Sequence, residues 1–326
     1  MAITLNPNYV DAYLNCSSVY NLQGNLQKGL EFFEWRLKKK HSKPITSGKS
    51  IIWDGSKSIK RKKIIVFEEQ GLGDIIQFCR FLPLLKQKGA EVTFKVKQKM
   101  HALLRILEKD VILTDSFPNN KKFDFEVPLM SLPFLLNTNL ETIPSMTSYM
   151  FADDKKVKSW GERLTKDTFK VGICWQGSKN KIDFGRSFSL SLFEGISKLP
   201  DVELISLHKG EGEEQIKDIN FNLFTLGNDF DAGDDAFVDT AAVMINCDLI
   251  ITSDTAIAHL AGALGCQTWV ALQKIPDWRW MLDRNDSPWY PNMNLYRQKQ
   301  QGNWEYVFET IQRDLQLLLQ QEKSKK

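Results

Sequence analysis

Apolar strand-like runs alternate with helix-like patterns along most of the chain, and the alternation restarts half-way. The first series begins with "KKIIVF" at Lys62, and the second begins with "FKVGICW" at Phe169. Alternation of this kind predicts a parallel sheet flanked by helices. A chain of 326 residues is also longer than one ordinary core. The sequence therefore predicts two successive doubly wound α/β domains.

The expected elements follow the apolar periodicity of each series. In the first series we expect helices at 74–88 and 100–108 and strands at 63–68, 91–96, 111–114 and 123–127. In the second series we expect helices at 190–199, 237–246 and 255–265 and strands at 169–175, 202–208, 222–227, 248–253 and 268–272. A final helix at 304–319 has an apolar stripe, which we expect to pack back across both domains.

These patterns place the boundaries of the expected domains. They predict a helical repeat at 1–43, a connector at 44–62, a first Rossmann-like domain at 63–155, a second at 156–302 and a C-terminal helix at 303–326.

The first forty residues read as two helices joined at Gly24. Their spacing matches one tetratricopeptide unit, with Tyr20 and Phe33 at aromatic positions of that repeat. Gly29 and Arg36 stand where the repeat prefers alanine. Two interpretations remain, a degenerate repeat and a plain helical hairpin. Because a lone repeat cannot bury its faces, it either packs on the following domain or follows further repeats, and a repeat would offer a surface to a protein partner.

Charge and composition exclude several classes of protein. The net charge of +3 gives no support for a nucleic-acid partner, and the basic runs at 57–63 and 322–326 are typical of a solvated linker and tail. The five cysteines are widely spaced, which favours buried thiols in a reducing compartment. Neither a signal peptide nor an apolar stretch of membrane-spanning length is present. We therefore expect a cytoplasmic protein with no transmembrane segment, and peripheral association with the inner membrane stays open.

The stretch "EEQGLGDIIQF" links a predicted strand to a predicted helix through Gly71 and Gly73. A dinucleotide fingerprint needs three glycines, G-x-G-x-x-G, and an acidic residue at the end of the second strand. Here the third position is Ile76, and the second strand runs into "TFKVKQK". The sequence therefore argues against NAD.

Asp74 stands where the helix after this turn begins. Its carboxylate can cap the helix and interact with the helix dipole. Alternatively, it is held at the mouth of a cleft as a general base. Its position alone does not decide between these roles.

A second group of polar residues lies in "SDTAIAH", which runs from Ser253 to His259 at the end of a strand and the start of a helix. The N–H groups and dipole at that helix start make an anion site, to which Thr255 adds a hydroxyl. His259 lies four residues after Thr255, on the same helix face. The alternative is an N-cap followed by a core histidine.

Two further loops point at the same edge of the second sheet. The loop "QGSKNKIDFGRS" carries Lys179 and Arg186, and Lys209 follows the next strand. In open parallel sheets, ligands bind beyond the carboxyl ends of the strands. Hydroxyls, backbone amides and three cations at neighbouring strand ends suit a diphosphate, although each cation by itself fits a solvated loop charge.

Four stretches together resemble a known family. They are "EEQGLGD", "VGICWQGS", "SDTAIAHLAGALG" and "PDWRWMLDRNDSPWYP". The chain resembles glycosyltransferase family nine, the ADP-heptose:lipopolysaccharide heptosyltransferases, and more closely the bacterial branch in which tetratricopeptide repeats precede such a domain. The resemblance covers nearly the whole chain, including "FEWRL" and "WDG" before the first series.

The resemblance implies the GT-B fold, in which two Rossmann-like domains face a cleft. It implies an inverting glycosyltransferase that needs no metal and no cofactor and that moves a sugar from a nucleotide-diphosphate sugar to a saccharide or protein. Asp74 would be the catalytic base, beside the acceptor-side residues Gln70, Gly71, Leu72 and Gly73. The donor would be bound by Gln176, Gly177, Ser178, Lys179, Arg186, His208, Lys209, Ser253, Asp254, Thr255, Ala256 and His259.

Ala256 stands where the heptosyltransferases usually carry glycine, so the transferred sugar stays open. Two other function classes also remain. A non-catalytic GT-B-like scaffold would recruit a protein partner through the repeat. A sugar-nucleotide epimerase would need additional carboxylates in the cleft, for which Glu69 and Glu211 are candidates.

The tryptophan-rich segment "PDWRWMLDRNDSPWYP" has two interpretations. Its large rings can wedge the last helix against both domains; these are Trp278, Trp280, Trp289 and Tyr290. Alternatively, one ring stacks on a base or sugar, and Arg279 or Arg284 meets a phosphate.

Overall fold

The computed structural model describes residues 2–39, 46–48, 50–178 and 185–325. The chain forms two compact units, one of Met1–Ser145 with Asp277–Asp283 and the other of Met146–Pro276 with Arg284–Lys326. Each unit contains a parallel sheet with helices. The expected class, two α/β domains, is therefore confirmed. The second unit begins before the predicted boundary at 155, and part of the tryptophan-rich segment belongs to the first unit.

The first unit is built on a five-stranded sheet in which every pair of neighbouring strands is parallel. Its strands are β1 (Ile51–Ile52), β2 (Lys63–Phe67), β3 (Glu91–Lys95), β4 (Val111–Thr114) and β5 (Phe125–Pro128). Its helices are α1 (Ala2–Leu5), α2 (Val10–Leu22), α3 (Leu26–Phe33), α4 (Leu72–Phe78), α5 (Leu82–Gln87), α6 (His101–Leu104) and α7 (Leu132–Leu135). Across the sheet the strands are ordered β1–β5–β2–β3–β4.

Burial and local chemistry account for these elements. The central residues of β2, Ile64 to Val66, are fully buried, as expected for a parallel strand that is covered on both faces. The helix predicted at 74–88 is interrupted by a short 3₁₀ turn, Cys79–Phe81, between α4 and α5. Pro83 lies near the start of α5, and its missing N–H prevents an unbroken α-helical ladder through that point.

The first forty residues form a helical hairpin, α2 and α3, as expected. Gly24 at the turn has a φ of +79°, a backbone conformation that favours glycine. The two helices approach closely at Gly29, where a Cβ atom would lie 2.0 Å from Asn21 Oδ1. Ser17 Oγ also donates a hydrogen bond to the Gly29 carbonyl across the same contact, at 2.7 Å. The assignment of this hairpin as a tetratricopeptide repeat stays a prediction.

The hairpin packs on the rest of the first unit. The guanidinium of Arg36 makes two hydrogen bonds to the Glu69 carboxylate, at 3.0 and 2.9 Å, and a third to Glu34 at 2.6 Å. Ser131 Oγ accepts from Arg36 and donates to Glu34. Leu26 lies on the apolar face of α3 and is buried. The sequence left open whether the hairpin packs on the following domain or on further repeats. The structure shows that it packs on the following domain.

The second unit is built on another all-parallel, five-stranded sheet. Its strands are β6 (Phe169–Cys174), β7 (Val202–Ser206), β8 (Leu249–Ser253), β9 (Thr268–Leu272) and β10 (Met293–Arg297). Its helices are α8 (Asp154–Gly161), α9 (Glu194–Ser197), α10 (Val238–Ile245), α11 (Ala256–Leu264) and α12 (Glu305–Lys325). The order across the sheet is β10–β9–β8–β6–β7.

Two expectations for the second unit were wrong in detail. The strand predicted at 222–227 is only an isolated bridge between Phe224 and Ile205. Conversely, β10, a short edge strand that pairs with β9, was not predicted from the sequence. The final helix, α12, extends beyond 304–319 and lies within the predicted segment 303–326, and it packs on α9 and β10 of its own unit, where Ile311 and Leu315 are fully buried. Packing of this helix across both domains stays a prediction.

The order of the strands indicates where a ligand would bind in each sheet, at the carboxyl ends of the strands. In the second sheet the chain runs from β6 outward to β7 and then returns to β8 on the other side of β6. In the first sheet, after the edge strand β1, the chain likewise moves from β2 outward to β3 and β4 and returns to β5 on the other side of β2. Such reversals leave a crevice at the carboxyl ends of the two strands that flank the reversal.

No helix in the described part of the chain combines the length and the apolar character needed to cross a bilayer.

The five cysteines are free thiols.

Candidate functional site

The loop after β2 carries Asp74, and the structure shows its carboxylate as a helix cap. Asp74 Oδ2 accepts a hydrogen bond from the Gly71 backbone N–H at 2.9 Å, and Gly71 is the N-cap of α4. Capping of this kind satisfies a backbone donor that the helix leaves unpaired. The helix-capping role predicted for Asp74 is therefore present, and it is compatible with a second role as a general base.

Arg279 holds the second oxygen of the same carboxylate. Its Nη2 atom donates to Asp74 Oδ1 at 2.5 Å, its Nε donates to Gln77 at 2.5 Å, and its Nη1 donates to Asp277 at 2.8 Å. Asp74 and Gln77 are on α4, and Arg279 comes from the short 3₁₀ helix Trp278–Trp280 in the same unit. The sequence allowed Arg279 a phosphate contact, but in this structure the guanidinium binds protein groups.

Opposing effects act on the pKa of Asp74. Burial raises the pKa of this carboxyl group, while the positive charge of Arg279 and the hydrogen bond from Gly71 lower it. Asp277 and Glu69 add a smaller upward contribution, and the net shift is upward. A carboxylate with a raised pKa is a stronger base than one in water.

The other acceptor-side residues lie around this turn. Gln70 and Gly71 are exposed, whereas Leu72 and Gly73 are half-buried at the start of α4. Gly71 has an ordinary φ of −76°, and a Cβ atom there would meet only Asp74 Oδ2, at 3.5 Å. The fold of the turn therefore does not by itself require glycine at position 71.

At the end of β8, Ser253, Asp254 and Thr255 lead into α11. Thr255 is the N-cap, and its Oγ1 accepts from the Ile257 N–H at 3.3 Å. The Ser253 hydroxyl is fully buried and has no hydrogen-bond partner among the described residues. Buried polar atoms nearly always have a partner, so this hydroxyl is an exception within the described part of the chain.

The loop after β6 reaches the loop after β8 through Arg186. Its Nη1 atom donates to the Asp254 carbonyl at 3.1 Å. The guanidinium also covers Gly177, where a Cβ atom would lie only 2.7 Å from Arg186 Nη2. Arg186 thus lies at the crevice between β6 and β8. Gln176 is buried and Ser178 exposed at the start of this loop, while Lys179 lies outside the described residues.

His208, after β7, contacts the end of β6. Its Nδ1 lies 3.5 Å from Cys174 Sγ, and its Nε2 lies 2.7 Å from the Glu211 carbonyl. The ring stacks on Trp175 with centroids 4.2 Å apart. Burial lowers the pKa of His208 and raises the pKa of Cys174 to about 11, so both are neutral at pH 7. A neutral pair accounts for this contact as packing and hydrogen bonding.

Lys209 does not reach the crevice between β6 and β8 in this structure. Its ammonium donates to the carbonyls of Phe230 and Asp231, the second at 2.6 Å. The side chain therefore anchors the loop that precedes α10. The sequence predicted that Lys179, Arg186 and Lys209 meet at one edge of the second sheet. In this structure Lys209 does not take part in such a group.

His259 is buried on α11 and is oriented by Tyr290. Its Nδ1 lies 2.9 Å from the Tyr290 hydroxyl oxygen. Gly262, one turn later, makes room for the same ring, since a Cβ atom there would lie 2.3 Å from Tyr290. The contact with the Tyr290 hydroxyl involves Nδ1 of the ring. Tyr290 therefore positions a predicted donor-site residue, a role that its sequence position did not reveal.

We expect Gly262→Ala to lower the free energy of unfolding of the second unit by about 1–3 kcal/mol, because the added methyl group collides with the Tyr290 ring. Thermal and urea denaturation measure this change. Gly233→Ala is the matched control, because a Cβ atom there meets nothing within 4 Å. Equal losses in the two variants would show that the close contact at Gly262 is unimportant.

The four large rings of the tryptophan-rich segment are buried. Trp278 and Trp280 belong to the first unit, and Trp289 and Tyr290 belong to the second. Trp278 lies 6.3 Å from Phe33 of the hairpin, between ring centroids. The rings are therefore packed within the two units, while the wedging of the last helix against both domains stays a prediction.

Comparisons with known proteins agree with this architecture. No protein-family model matches the chain. The protein FlbA of Caulobacter vibrioides is 26% identical over 309 residues, which are 86% of this chain and 51% of FlbA. The chain thus spans about half the length of this curated relative.

Two solved structures share the fold. One is the glycosyl transferase family 9 structure from Veillonella parvula, with a TM-score of 0.54 over 79% of this chain and 91% of that one, at 12% identity. The other is the ADP-heptose lipopolysaccharide heptosyltransferase II of E. coli, with a TM-score of 0.54 over 80% and 99%, also at 12% identity. The fold matches that of the GT-B glycosyltransferases. At this identity the likeness shows the GT-B fold alone.

The structure brings some predicted residues together and separates others. Arg186 and Asp254 meet between β6 and β8, where Gln176, Gly177, Ser253 and Thr255 also lie at the strand ends. Lys209 is directed elsewhere. Over residues 2–39, 46–48, 50–178 and 185–325, no three His, Cys, Asp or Glu side chains form a group that could hold a metal ion. Whether the reaction needs a metal stays a prediction.

Proposed function

We propose that this protein is an inverting, metal-independent glycosyltransferase of the heptosyltransferase-like type. Its donor is a nucleotide-diphosphate sugar, and its acceptor is a saccharide or a protein side chain. The donor binds at the carboxyl end of the second sheet, and Asp74 of the first unit is the catalytic base. The observation that carries the proposal is the crevice between β6 and β8, where Arg186 joins the two loops that a diphosphate would contact.

The chemistry of that crevice supports a diphosphate. Arg186 supplies a guanidinium, which suits the paired oxygens of a phosphate. Thr255 caps α11, whose N-terminal dipole favours negative charge. The partnerless hydroxyl of the buried Ser253 adds a hydrogen-bond donor. These groups offset the charge of the leaving diphosphate without a metal ion.

The first unit supports the acceptor side rather than a second nucleotide. At the corresponding strand ends, after β2 and β5, residues of the same unit already bind one another. There Glu69 accepts a hydrogen bond from the Met130 N–H at 3.0 Å and pairs with Arg36. A nucleotide at this place would have to displace a buried ion pair. The exposed backbone at Gln70 and Gly71, beside Asp74, offers an open surface for an acceptor.

In the proposed reaction, Asp74 accepts the proton of an acceptor hydroxyl as that oxygen bonds to the anomeric carbon of the donor. The bond between this carbon and the diphosphate oxygen breaks, and its electron pair leaves with the nucleoside diphosphate. Attack from the face opposite the leaving group inverts the anomeric centre. Asp74 must be ionised before each turnover, so the rate falls at acidic pH.

We expect one nucleoside diphosphate among ADP, GDP, UDP and CDP to raise the melting temperature, equally with and without magnesium. At 100 times its dissociation constant, a ligand adds about 2.7 kcal/mol of stability. Arg186→Met should reduce this shift, because it removes the phosphate contact. Arg313→Met is the control, since Arg313 is an exposed residue on α12 that pairs with its neighbour Asp314.

No shift with any of the four nucleotides would overturn the proposed donor site and favour the non-catalytic scaffold. A shift that needs magnesium would contradict metal independence. A shift that survives Arg186→Met unchanged would remove Arg186 from the site.

A further inference from the structure

Arg279 reaches Asp74 from a distant part of the chain. The two residues are 205 positions apart, yet residues 277–283 fold into the first unit while the residues on either side fold into the second. A helix cap is complete with the contact between Asp74 and the Gly71 N–H. The bond from Arg279 to the other carboxylate oxygen is therefore an addition that capping does not require.

Arg279 is itself held in place on several sides. Asp277 accepts from both the Arg279 backbone N–H and its guanidinium, at 3.0 and 2.8 Å. The guanidinium carbon lies 4.6 Å from the centre of the Trp278 ring and 5.4 Å from that of Phe78. With only 7% of the residue exposed, the guanidinium has little freedom to turn away. A fixed guanidinium fixes the carboxylate that it binds.

We propose that Arg279 is a positioning residue for Asp74, whose carboxylate it holds in a single orientation for proton transfer. The inference rests on the proposed function, in which Asp74 is the base. Gly71 and Arg279 each bind one carboxylate oxygen, so the acceptor hydroxyl must approach through the remaining lone pairs. The helical hairpin supports this arrangement indirectly, because Phe33 packs on Trp278 beside Arg279.

The charged groups that face Asp74 decide the expected pH dependence. Arg279 and Asp277 face it from the tryptophan-rich segment, and Glu69 faces it from its own loop, where Arg36 pairs with Glu69. Of these, Arg279 lowers the pKa of Asp74, whereas burial and the two carboxylates raise it. Removing Arg279 therefore raises the pKa further, and the acidic limb of the rate profile moves to higher pH.

The experiment compares the wild-type chain with Arg279→Met. Carbon-13 NMR of the Asp74 carboxyl carbon gives its pKa without any need for turnover, and kcat/KM against pH gives the acidic limb. We expect both to move upward by about one to three pH units, the usual effect of losing an adjacent arginine. We also expect KM for the donor to stay unchanged, while kcat falls at neutral pH. Arg313→Met should leave both midpoints in place.

Two further variants keep the test decisive. Arg279→Lys keeps the charge but cannot make the forked contacts, so the acidic limb should stay close to that of the wild type while kcat falls. If Arg279→Met does not fold, Arg279→Gln keeps a hydrogen-bond donor without the charge and gives the same comparison. A chain that transfers sugar and shows no change in either midpoint would overturn the inference alone. A wild-type chain that transfers no sugar would overturn the proposed function together with it.

Discussion

We expect Asp74→Asn to lower glycosyl transfer by about 10²- to 10⁴-fold, the usual contribution of a general base. The amide cannot accept the proton of the acceptor hydroxyl. It can still accept the hydrogen bond from the Gly71 N–H, because the side-chain amide keeps one oxygen. Transfer of a labelled sugar measures the loss, and circular dichroism shows whether the fold is retained.

Two comparisons separate a catalytic role from a structural one. Nucleotide binding, measured as the thermal shift, should be the same in Asp74→Asn and the wild type, because we place the donor on the second unit. Asp124→Asn removes a carboxylate of the same unit near the start of β5, where it accepts from the Lys63 N–H, and it should leave the rate unchanged. Wild-type turnover in Asp74→Asn would exclude Asp74 as the base.

The second large effect is expected from Arg36→Met, which should lower the free energy of unfolding of the first unit by about 3–5 kcal/mol. Arg36 and Glu69 are both nearly buried, with side chains 9% and 6% exposed. Burial lowers the pKa of Arg36, but the carboxylates of Glu69 and Glu34 outweigh it and raise the pKa overall. Without the guanidinium, both carboxylates lose their shared counter-ion. The methionine side chain is nearly as long as the apolar part of arginine. The loss of unfolding free energy therefore reports mainly on the missing charge.

The two units need not unfold together, so a single melting curve does not isolate the first unit. Hydrogen exchange at the backbone amides of β2 measures its stability directly. Lys39→Met is the matched control, since it breaks an exposed ion pair between Lys39, just after the hairpin, and Asp11 of α2, and it should cost at most about 1 kcal/mol. Equal losses in the two variants would mean that the Arg36 network contributes no more than a surface pair.

The sequence predicted most of the secondary structure, because local periodicity records which residues are buried. β9 and β4 have the predicted bounds, and β2, β3, β6 and β8 differ from the predicted bounds by one residue at one end. The parallel sheets followed from the alternation of strands and helices. The strand β10 was missed because a short edge strand has too few buried positions to form a pattern.

The sequence also located the ends of strands where polar side chains gather, at Asp74 and at Ser253 to Thr255. Strand ends in parallel sheets share one edge, so order along the chain is enough to bring such residues to that edge. It was not enough to show which side chains meet there. Lys209 follows the carboxyl end of β7, as predicted. Its four-carbon chain, however, is long enough to reach the Asp231 carbonyl in the loop before α10.

The contacts that define the candidate site were decided by the tertiary structure. Arg279 meets Asp74, Arg36 meets Glu69, and Tyr290 meets His259 only because segments distant in sequence fold against one another within each unit. Local patterns of burial depend on neighbours three or four positions away, whereas these pairs depend on the path of the chain between them. The sequence by itself determined the two α/β units and the strand ends that carry polar groups. The partners of those groups, and hence their charge and orientation, were fixed by packing between residues far apart in the chain.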